Sequence, residues 1–201
     1  MAHRRALLAA PFLLAAGPAN SQVGPRQVGE ALEVAGIASA ERPGGSRALA
    51  PAAPLAEGDT LVTGAASRLL ARLAGEVELR LGARSRMLID TLVPQSVGTV
   101  LRHAAGPFWF TRPETAPRSP VAIISPAALI AVRGTSVWGG ELDGAFRVFV
   151  ERGVADVVAG GRRVTIGAGL GTEIIDGAPS EAAPWPQERI LRARISVGLS
   201  P

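Results

Sequence analysis

The sequence predicts an all-β fold, built as a sandwich, a roll or a short solenoid of short antiparallel strands. The chain has 24 glycines and 16 prolines in 201 residues, which favours many short elements joined by turns over long helices. Short apolar runs recur at close spacing and are separated by single glycines. An apolar content of 47% is sufficient for one hydrophobic core.

The first 21 residues have the features of a secretory signal peptide. The basic start HRR precedes an apolar run over residues 6–16, and the tripeptide ANS suits cleavage before Gln22. The run is too short to span a bilayer well. Paired arginines also admit the twin-arginine route, so the sequence leaves the export pathway open. We expect a mature periplasmic chain that begins at Gln22 and contains no transmembrane segment.

The first predicted strands follow this leader. Residues 31–38 indicate a strand bent at glycine, and residues 40–54 indicate a hairpin loop around a Pro-Gly-Gly turn. Further short strands, separated by Gly64, Gly75 and Gly82, are expected at residues 61–62, 69–73, 77–81 and 87–89. Residues 92–120 are richer in proline and form the least regular part of the pattern.

The second half of the chain continues the β pattern. The stretch from Ala131 to Val158 is interpreted as two strands on either side of a glycine-threonine turn at Gly134 and Thr135. Alternation over residues 146–151 places Phe146, Val148 and Val150 on one face, and the intervening residues on the other. A final hairpin is expected around the Gly-Gly pair at 160–161.

The composition changes after Asp176. We assign residues 22–176 to the β domain and residues 177–201 to a linker rich in proline and alanine with a basic C-terminal tail. Apolar residues from Ile190 to Val197 alternate with arginines, which predicts a short helix with one apolar flank. This helix would dock on the domain or fray as an ordinary terminus.

The charge of the chain does not indicate a nucleic-acid partner. Arginine supplies all 21 basic side chains, and lysine, cysteine and tyrosine are absent. Loss of the leader removes two arginines and leaves 19 basic against 17 acidic residues, so the net charge of the mature chain falls from +4 to +2. The sequence pI of 11.2 therefore reflects the lack of groups that titrate in the alkaline range. The lack of cysteine excludes disulfides and thiolate metal sites.

The sequence contains few candidate residues for catalysis or cofactor binding. His103 is the single histidine after the leader, and we interpret it as a solvated loop residue without a nucleophile or second ligand nearby. The glycines between residues 167 and 171 are not followed by a helix, so they are interpreted as turns and not as a phosphate-binding loop. We predict a protein that is not an enzyme and that has no catalytic residues, no metal site and no cofactor.

Two tryptophans are candidates for partner binding. Trp109 lies between Phe108 and Phe110, and in an extended strand one of the three rings must face away from the other two. That outward ring, together with Trp138, is a candidate contact for a protein partner. Exposed tryptophans also stack on sugars, so a glycan- or peptidoglycan-associated structural module of the cell envelope is the alternative.

Two short motifs occur in a fixed order along the chain. The first is GDTLVTG, which contains Gly58, Asp59 and Thr63, and the second is VRGT, which contains Arg133, Gly134 and Thr135. Both resemble motifs of the FecR family, the periplasmic part of bacterial iron-transport sensors. Each motif is weak alone, and their order supports the resemblance, which extends over residues 28–176. It implies that the six motif residues are structural and that the chain binds a protein partner, a membrane regulator or receptor domain, in periplasmic signalling. Full-length family regulators carry an anti-sigma segment and a membrane span before this domain, where this chain has the signal peptide.

Overall fold

The computed structural model describes residues 25–74, 77–93, 98–113 and 120–200. Strands make up 63% of the described residues, and the described ranges contain one short helix, near the C-terminus, so the predicted all-β fold with a short C-terminal helix is confirmed. The predicted signal peptide lies outside the described residues, as do residues 94–97 and 114–119 of the stretch 92–120. The described part of that stretch contains two regular strands, Gly98–Ala105 and Phe108–Thr111. Within the described ranges, no helix is long and apolar enough to cross a bilayer.

Seventeen strands and one helix follow one another along the described chain. They are β1 (Gln27–Ala35), β2 (Ala38–Arg42), β3 (Gly45–Ala48), β4 (Pro54–Ala56), β5 (Thr60–Thr63), β6 (Arg68–Leu73), β7 (Val77–Leu81), β8 (Arg86–Val93), β9 (Gly98–Ala105), β10 (Phe108–Thr111), β11 (Val121–Ile124), β12 (Leu129–Leu142), β13 (Ala145–Ala159), β14 (Arg162–Gly167), β15 (Leu170–Ile175), β16 (Ala178–Pro179), β17 (Ala183–Pro184) and α1 (Gln187–Ser196).

The sheet curls into two facing layers that share one long hairpin. Layer A runs β4-β1-β6-β7-β10 and then joins the second half of β12, the first half of β13, and β15. Layer B runs β3-β2-β5-β8-β9-β11 and joins the first half of β12, the second half of β13, and β14. All of these pairs are antiparallel except β9 with β11, which are parallel because β10 crosses to layer A between them.

A bulge in β12 replaces the predicted glycine-threonine turn. Arg133 pairs with Val154 and Ser136 pairs with Arg152, so Gly134 and Thr135 together oppose Gly153. The extra residue reverses the alternation of the strand, with Ile130 and Val132 on the buried face before it and Val137 after it. The prediction of a turn here was therefore wrong: the glycine bends one continuous strand from layer B into layer A.

The true turn of this hairpin lies at Asp143 and Gly144. Leu142 pairs with Ala145, and the two residues between them have φ of +53° and +77°. Positive φ at both central positions is characteristic of a type I′ turn, for which Asp-Gly is a favoured sequence. The predicted hairpin at Gly160 and Gly161 has the same positive φ pattern, +53° and +76°, and is confirmed by the pairing of β13 with β14.

The core fills the space between the layers with the inward residues of both. Leu61, Met87, Leu101 and Ile130 come from layer B, while Leu79, Phe108, Phe110, Val137 and Val148 come from layer A. The predicted alternation in β13 is confirmed, since Val148 and Val150 belong to this core with Phe146 packed against it. Phe149, on the opposite face of β13, belongs to a second apolar cluster outside layer A.

Candidate functional site

The candidate site is a row of aromatic side chains on the outer face of layer A. Trp109 of β10 pairs with Trp138 of β12, which pairs in turn with Phe149 of β13, so the three rings stand side by side on neighbouring strands. We call these three residues the aromatic surface. Phe108 and Phe110 point into the core, as the alternation around Trp109 predicted. Trp109 thus faces away from its two aromatic neighbours.

The C-terminal segment covers the aromatic surface. Trp185 stacks on Phe149 with ring centroids 4.9 Å apart, and its edge meets Trp138 at 5.8 Å. Ala193 and Val197 of the α1 region complete the cluster. Trp109 is consequently 2% exposed and Trp138 is 0% exposed. The exposure on which their partner-binding role was predicted is not present, because the chain's own helix occupies the surface.

Asp143 anchors the helix at one end of the aromatic surface. Its carboxylate, on the β12–β13 turn, accepts hydrogen bonds from Arg192 of α1, with Nη1 at 2.5 Å from Oδ1 and Nη2 at 3.1 Å from Oδ2. Arg147 of β13 donates to the same carboxylate at 2.8 Å. The hydrogen bond from Arg192 and the positive charges of both arginines lower the pKa of Asp143, against a smaller opposing effect of burial. This carboxylate is therefore held in its charged form.

Glu151 anchors the helix at the other end of the surface through a closed network. Arg194 of α1 donates to Glu151 at 2.6 Å, and the Ser136 hydroxyl donates to the same carboxylate at 3.0 Å. The indole N–H of Trp109 donates to Ser136 at 2.7 Å. The network closes where the guanidinium of Arg194 lies 5.9 Å from the ring centroid of Trp109. One arginine of α1 thus recognises both the acid and the aromatic ring.

Two glycines let the C-terminal segment approach the sheet closely. A Cβ at Gly171 would lie 2.2 Å from Nε1 of Trp185, and a Cβ at Gly82 would lie 2.1 Å from the carbonyl oxygen of Ser196. Both positions therefore require glycine because a neighbour occupies the space of a side chain. The indole of Trp138 also contacts this segment, by donating a hydrogen bond to the Ser196 hydroxyl at 3.1 Å.

The motif residues that the sequence identified as structural build the fold and lie outside the aromatic surface. The Asp59 carboxylate is buried, accepts from the N–H of Ala56 at 2.9 Å and from Arg47 at 2.6 Å, and is also paired with Arg42. Thr63 donates to the carbonyl of Gly82 at 2.5 Å and accepts from the N–H of Ser85 at 2.8 Å. These contacts fasten the β2–β3 hairpin and the β5 strand to their neighbours.

The remaining motif residues lie at two turns or bends. Gly58 has a φ of +86° and Gly134 a φ of +59°, so both occupy backbone conformations that favour glycine. Thr135 is fully buried beside Gly134. Arg133 is exposed, and its guanidinium is 3.8 Å from Asp156. A groove of about 590 Å³ runs beside Arg133 and Gly134, lined also by Arg112, Val121, Ala131 and Val132.

His103 is not the solvated loop residue that the sequence suggested. It lies in β9, is 6% exposed, and packs against Phe108 and Phe146 with ring centroids 5.1 and 5.6 Å away. Nε2 is 2.6 Å from the carbonyl oxygen of Gly106. Burial lowers the pKa of His103, against smaller opposing effects of the hydrogen bonds that the ring donates to the backbone at Gly106 and Ala105 and of the negative charge of Glu141. Sequence reasoning missed this burial because the inward face of β9 is set by its pairing with β8.

No group of three or more histidine, aspartate or glutamate side chains within reach of one metal ion occurs in the described ranges. All three tryptophans of the chain are described and all are buried, including Trp185 at 8% exposure. The exposed tryptophan required by the glycan-stacking alternative is therefore not found. Asp143 and Glu151 were missed in the sequence, although the Asp-Gly dipeptide at 143–144 was a usable signal for the first.

In a comparison with known proteins, the central part of the chain matches one protein family. Residues 59–156 match the family described as FecR protein. Two crystal structures, at 1.65 and 2.50 Å resolution, of a "putative anti-sigma factor" from Parabacteroides distasonis share the fold. Each has a TM-score of 0.55 and 14% sequence identity, and the alignment covers 65% of this chain and 62% of that one. No curated protein sequence shows a significant match.

Proposed function

We propose that this chain, whose residues 59–156 match the FecR family, is a non-catalytic regulatory domain that acts by binding another protein in signalling at the cell envelope. The family match is the observation that carries the proposal. The description of the fold neighbour as an anti-sigma factor agrees with a regulatory role, although at 14% identity the likeness itself concerns the fold. The neighbour is longer than the aligned part, which is 62% of its length.

The roles of the motif residues support binding over catalysis. Asp59 is enclosed by Ala56 and the two arginines, and Thr63 has both a donor and an acceptor partner. Gly134 shapes the bulge that bends β12. Residues whose hydrogen-bonding capacity is used within the fold are unavailable for substrate chemistry. These motifs therefore serve to maintain a two-layered scaffold.

The proposed location is the periplasm. It rests on the leader at residues 1–21, whose basic start, apolar run and small-residue cleavage site fit an exported chain. The intact mass of the protein recovered from the periplasmic fraction tests this location. A mass that corresponds to a chain starting at Gln22 is expected, and an uncleaved chain in the inner membrane would contradict it.

Site-specific photo-crosslinking in the native host tests the function. A photoreactive amino acid is placed singly at four exposed apolar positions, namely Ile195 on α1 and Ile37, Val154 and Ile175 elsewhere in the domain. We expect at least one position to form an adduct with one defined membrane or receptor protein, and deletion of the gene to alter transcription of a limited gene set that wild-type protein restores.

Two results would contradict the proposal. The first is a folded, exported chain with no protein adduct at any position and an unchanged transcriptome. The second is co-sedimentation of the chain with purified peptidoglycan and no protein adduct, which would replace the proposal with the cell-wall module.

A further inference from the structure

We propose that α1 is a self-ligand: it occupies the surface by which this domain binds its partner, and the partner displaces it with an arginine-bearing amphipathic helix of its own. The inference rests on the proposed function, because it names the surface that the protein partner uses. It also assigns a role to Trp109 and Trp138 that is consistent with their burial. In the closed chain the rings are covered by α1, and in the complex they are covered by the partner.

The covered surface has the composition of a protein-recognition site. Its centre is the row of Trp109, Trp138 and Phe149, and its two ends carry the carboxylates of Asp143 and Glu151. Large aromatic side chains surrounded by polar groups are the usual centre of a protein interface. On the opposite side of the molecule, the outer face of layer B carries smaller apolar residues, among them Leu129, Ala131 and Val154. The aromatic surface is thus the part of the sheet best suited to a strong contact.

Few interactions within α1 itself stabilise it as a helix. Ala193 is the buried residue among its ten, and Pro186 at its N-terminus provides no side-chain hydrogen bond to cap it. Helices of this length are marginal in water, so α1 depends on its contacts with the sheet. The ion pairs of Arg192 and Arg194 are part-exposed, with side-chain exposures of 43% and 29%. Such pairs are weak in water and are readily exchanged for equivalent pairs with another chain.

The contacts of α1 specify what can replace it. Arg192, Ala193 and Arg194 place a small residue against the rings with one arginine directed to each carboxylate. Arg192 binds Asp143 through two nitrogens, a fork geometry that lysine cannot provide. The replacement must therefore be a helix with arginines on either side of a small residue. The close approach at Gly82 leaves room for a helix end but not for a bulky side chain.

The chain provides its own reporter for opening. All three tryptophans belong to the cluster under or beside α1, and the chain has no tyrosine. Intrinsic fluorescence at the red edge of excitation therefore reports on this surface alone. A shift of the emission to longer wavelength is expected when water reaches the rings.

The test uses the full mature chain with the double substitution Arg192→Glu and Arg194→Glu. These changes place like charges against Asp143 and Glu151 and leave the aromatic surface intact. We expect red-shifted tryptophan emission and binding of a fluorescein-labelled peptide of residues 186–200, at least about tenfold tighter than its binding to the wild-type chain. A peptide with the same two glutamates should not bind. The matched control is Arg162→Glu with Arg163→Glu, two exposed arginines on the β13–β14 hairpin, which should behave as wild type.

Two outcomes of measurements on the purified chain would overturn the inference. One is a double variant that opens, by its emission, and does not bind the wild-type peptide. The other comes from amide hydrogen exchange on the unmodified chain, which remains informative if the double variant does not fold. We expect the amides of α1 to exchange at least about tenfold faster than those of β12 and β13. Equal exchange in both would mean that the surface opens only when the domain unfolds.

The test separates this inference from the proposed function. If photo-crosslinking identifies a partner and the open variant binds that partner no better than wild type, the function stands and the self-ligand inference fails. If the peptide binds the open variant and no partner is found in the envelope, the surface is real and the proposed function fails.

Discussion

The indole of Trp185 lies directly on the backbone of Gly171, so that a Cβ at position 171 would be 2.2 Å from Nε1 of the ring. The ring stacks on Phe149 from this position and leads the chain into α1. The absence of a side chain at one position of β15 therefore permits the whole C-terminal segment to dock.

Gly171→Ala is expected to release the C-terminal segment. The added methyl group overlaps the Trp185 indole, and overpacking of this kind costs about 1–3 kcal/mol. Red-shifted tryptophan emission and a lower midpoint of thermal unfolding are the measurements. Gly167→Ala is the control, because a Cβ at that position meets nothing within 4 Å. Equal effects of the two substitutions would show that the contact with Trp185 does not hold the segment.

Gly134→Val is expected to destabilise the fold by about 1–3 kcal/mol. A steric clash is not the cause of this loss, since a Cβ at Gly134 has no neighbour within 4 Å. The cost arises because valine disfavours the φ of +59° that the backbone adopts in the bulge. Gly134→Asn should cost less, because asparagine tolerates this conformation. Chemical denaturation of both variants measures the difference, and a valine variant as stable as wild type would contradict the bulge geometry.

Asp59→Asn is expected to destabilise the fold by about 1–3 kcal/mol, because it leaves two arginines facing a neutral amide in a buried position. The part-exposed side chains of Arg42 and Arg47, at 26% and 41%, recover some hydration and keep the cost below that of a fully buried pair. Denaturant unfolding is the measurement. Glu57→Gln is the control, since Glu57 is 33% exposed and lies 4.0 Å from Arg26. An equal loss of unfolding free energy in the Glu57→Gln control would contradict a specific stabilising role of the buried Asp59 carboxylate.

The stability of the fold is expected to decrease as the pH falls below about 6.5 because of His103. Burial between Phe108 and Phe146 lowers the pKa of His103 in the folded chain, whereas the unfolded chain has an ordinary pKa. The unfolded state therefore binds the proton first, and stability is lost from the unfolded pKa down to the folded pKa. Denaturation midpoints of wild type and His103→Gln across this range are compared. A wild-type curve as flat as that of the variant would exclude the effect.

Docking of α1 is expected to weaken in acid through Asp143. The pKa of this carboxyl is lowered in the folded chain, mainly by its hydrogen bond from Arg192. The contribution of the ionised Asp143 to the docking of α1 is thus complete above the ordinary aspartate pKa of about 3.9. It is lost as the pH falls through the lower pKa of the folded chain. Asp143→Asn should loosen α1 already at neutral pH, as measured by hydrogen exchange of its amides. Asp90→Asn, at the exposed pair with Arg102, should leave α1 unchanged.

Local backbone geometry explains which features of the fold could be predicted from the sequence. The opposite faces of Trp109 and its two phenylalanine neighbours, and the two faces of β13, follow from the two-residue period of a strand, which requires no knowledge of the rest of the fold. The hairpin at Gly160 and Gly161 follows in the same way, because its turn depends on two adjacent residues with positive φ. Asp59 and Gly134 of the two motifs lie in a buried ion-pair cluster and in a strand bulge, respectively.

The burial of particular strand faces and the register between strands depend on contacts between residues far apart in the sequence. Gly134 lies in a bulge and not in the predicted turn, because β12 pairs with β13 on both sides of it. The turn between these two strands lies at Asp143 and Gly144. His103 became buried because β8 and β11 flank β9 and direct its side chain into the core edge. The indole of Trp138 donates a hydrogen bond to Ser196, 58 residues later in the chain. A pattern of neighbouring residues cannot specify such contacts, because they depend on the assembled sheet and on the surface that it offers to the C-terminal helix.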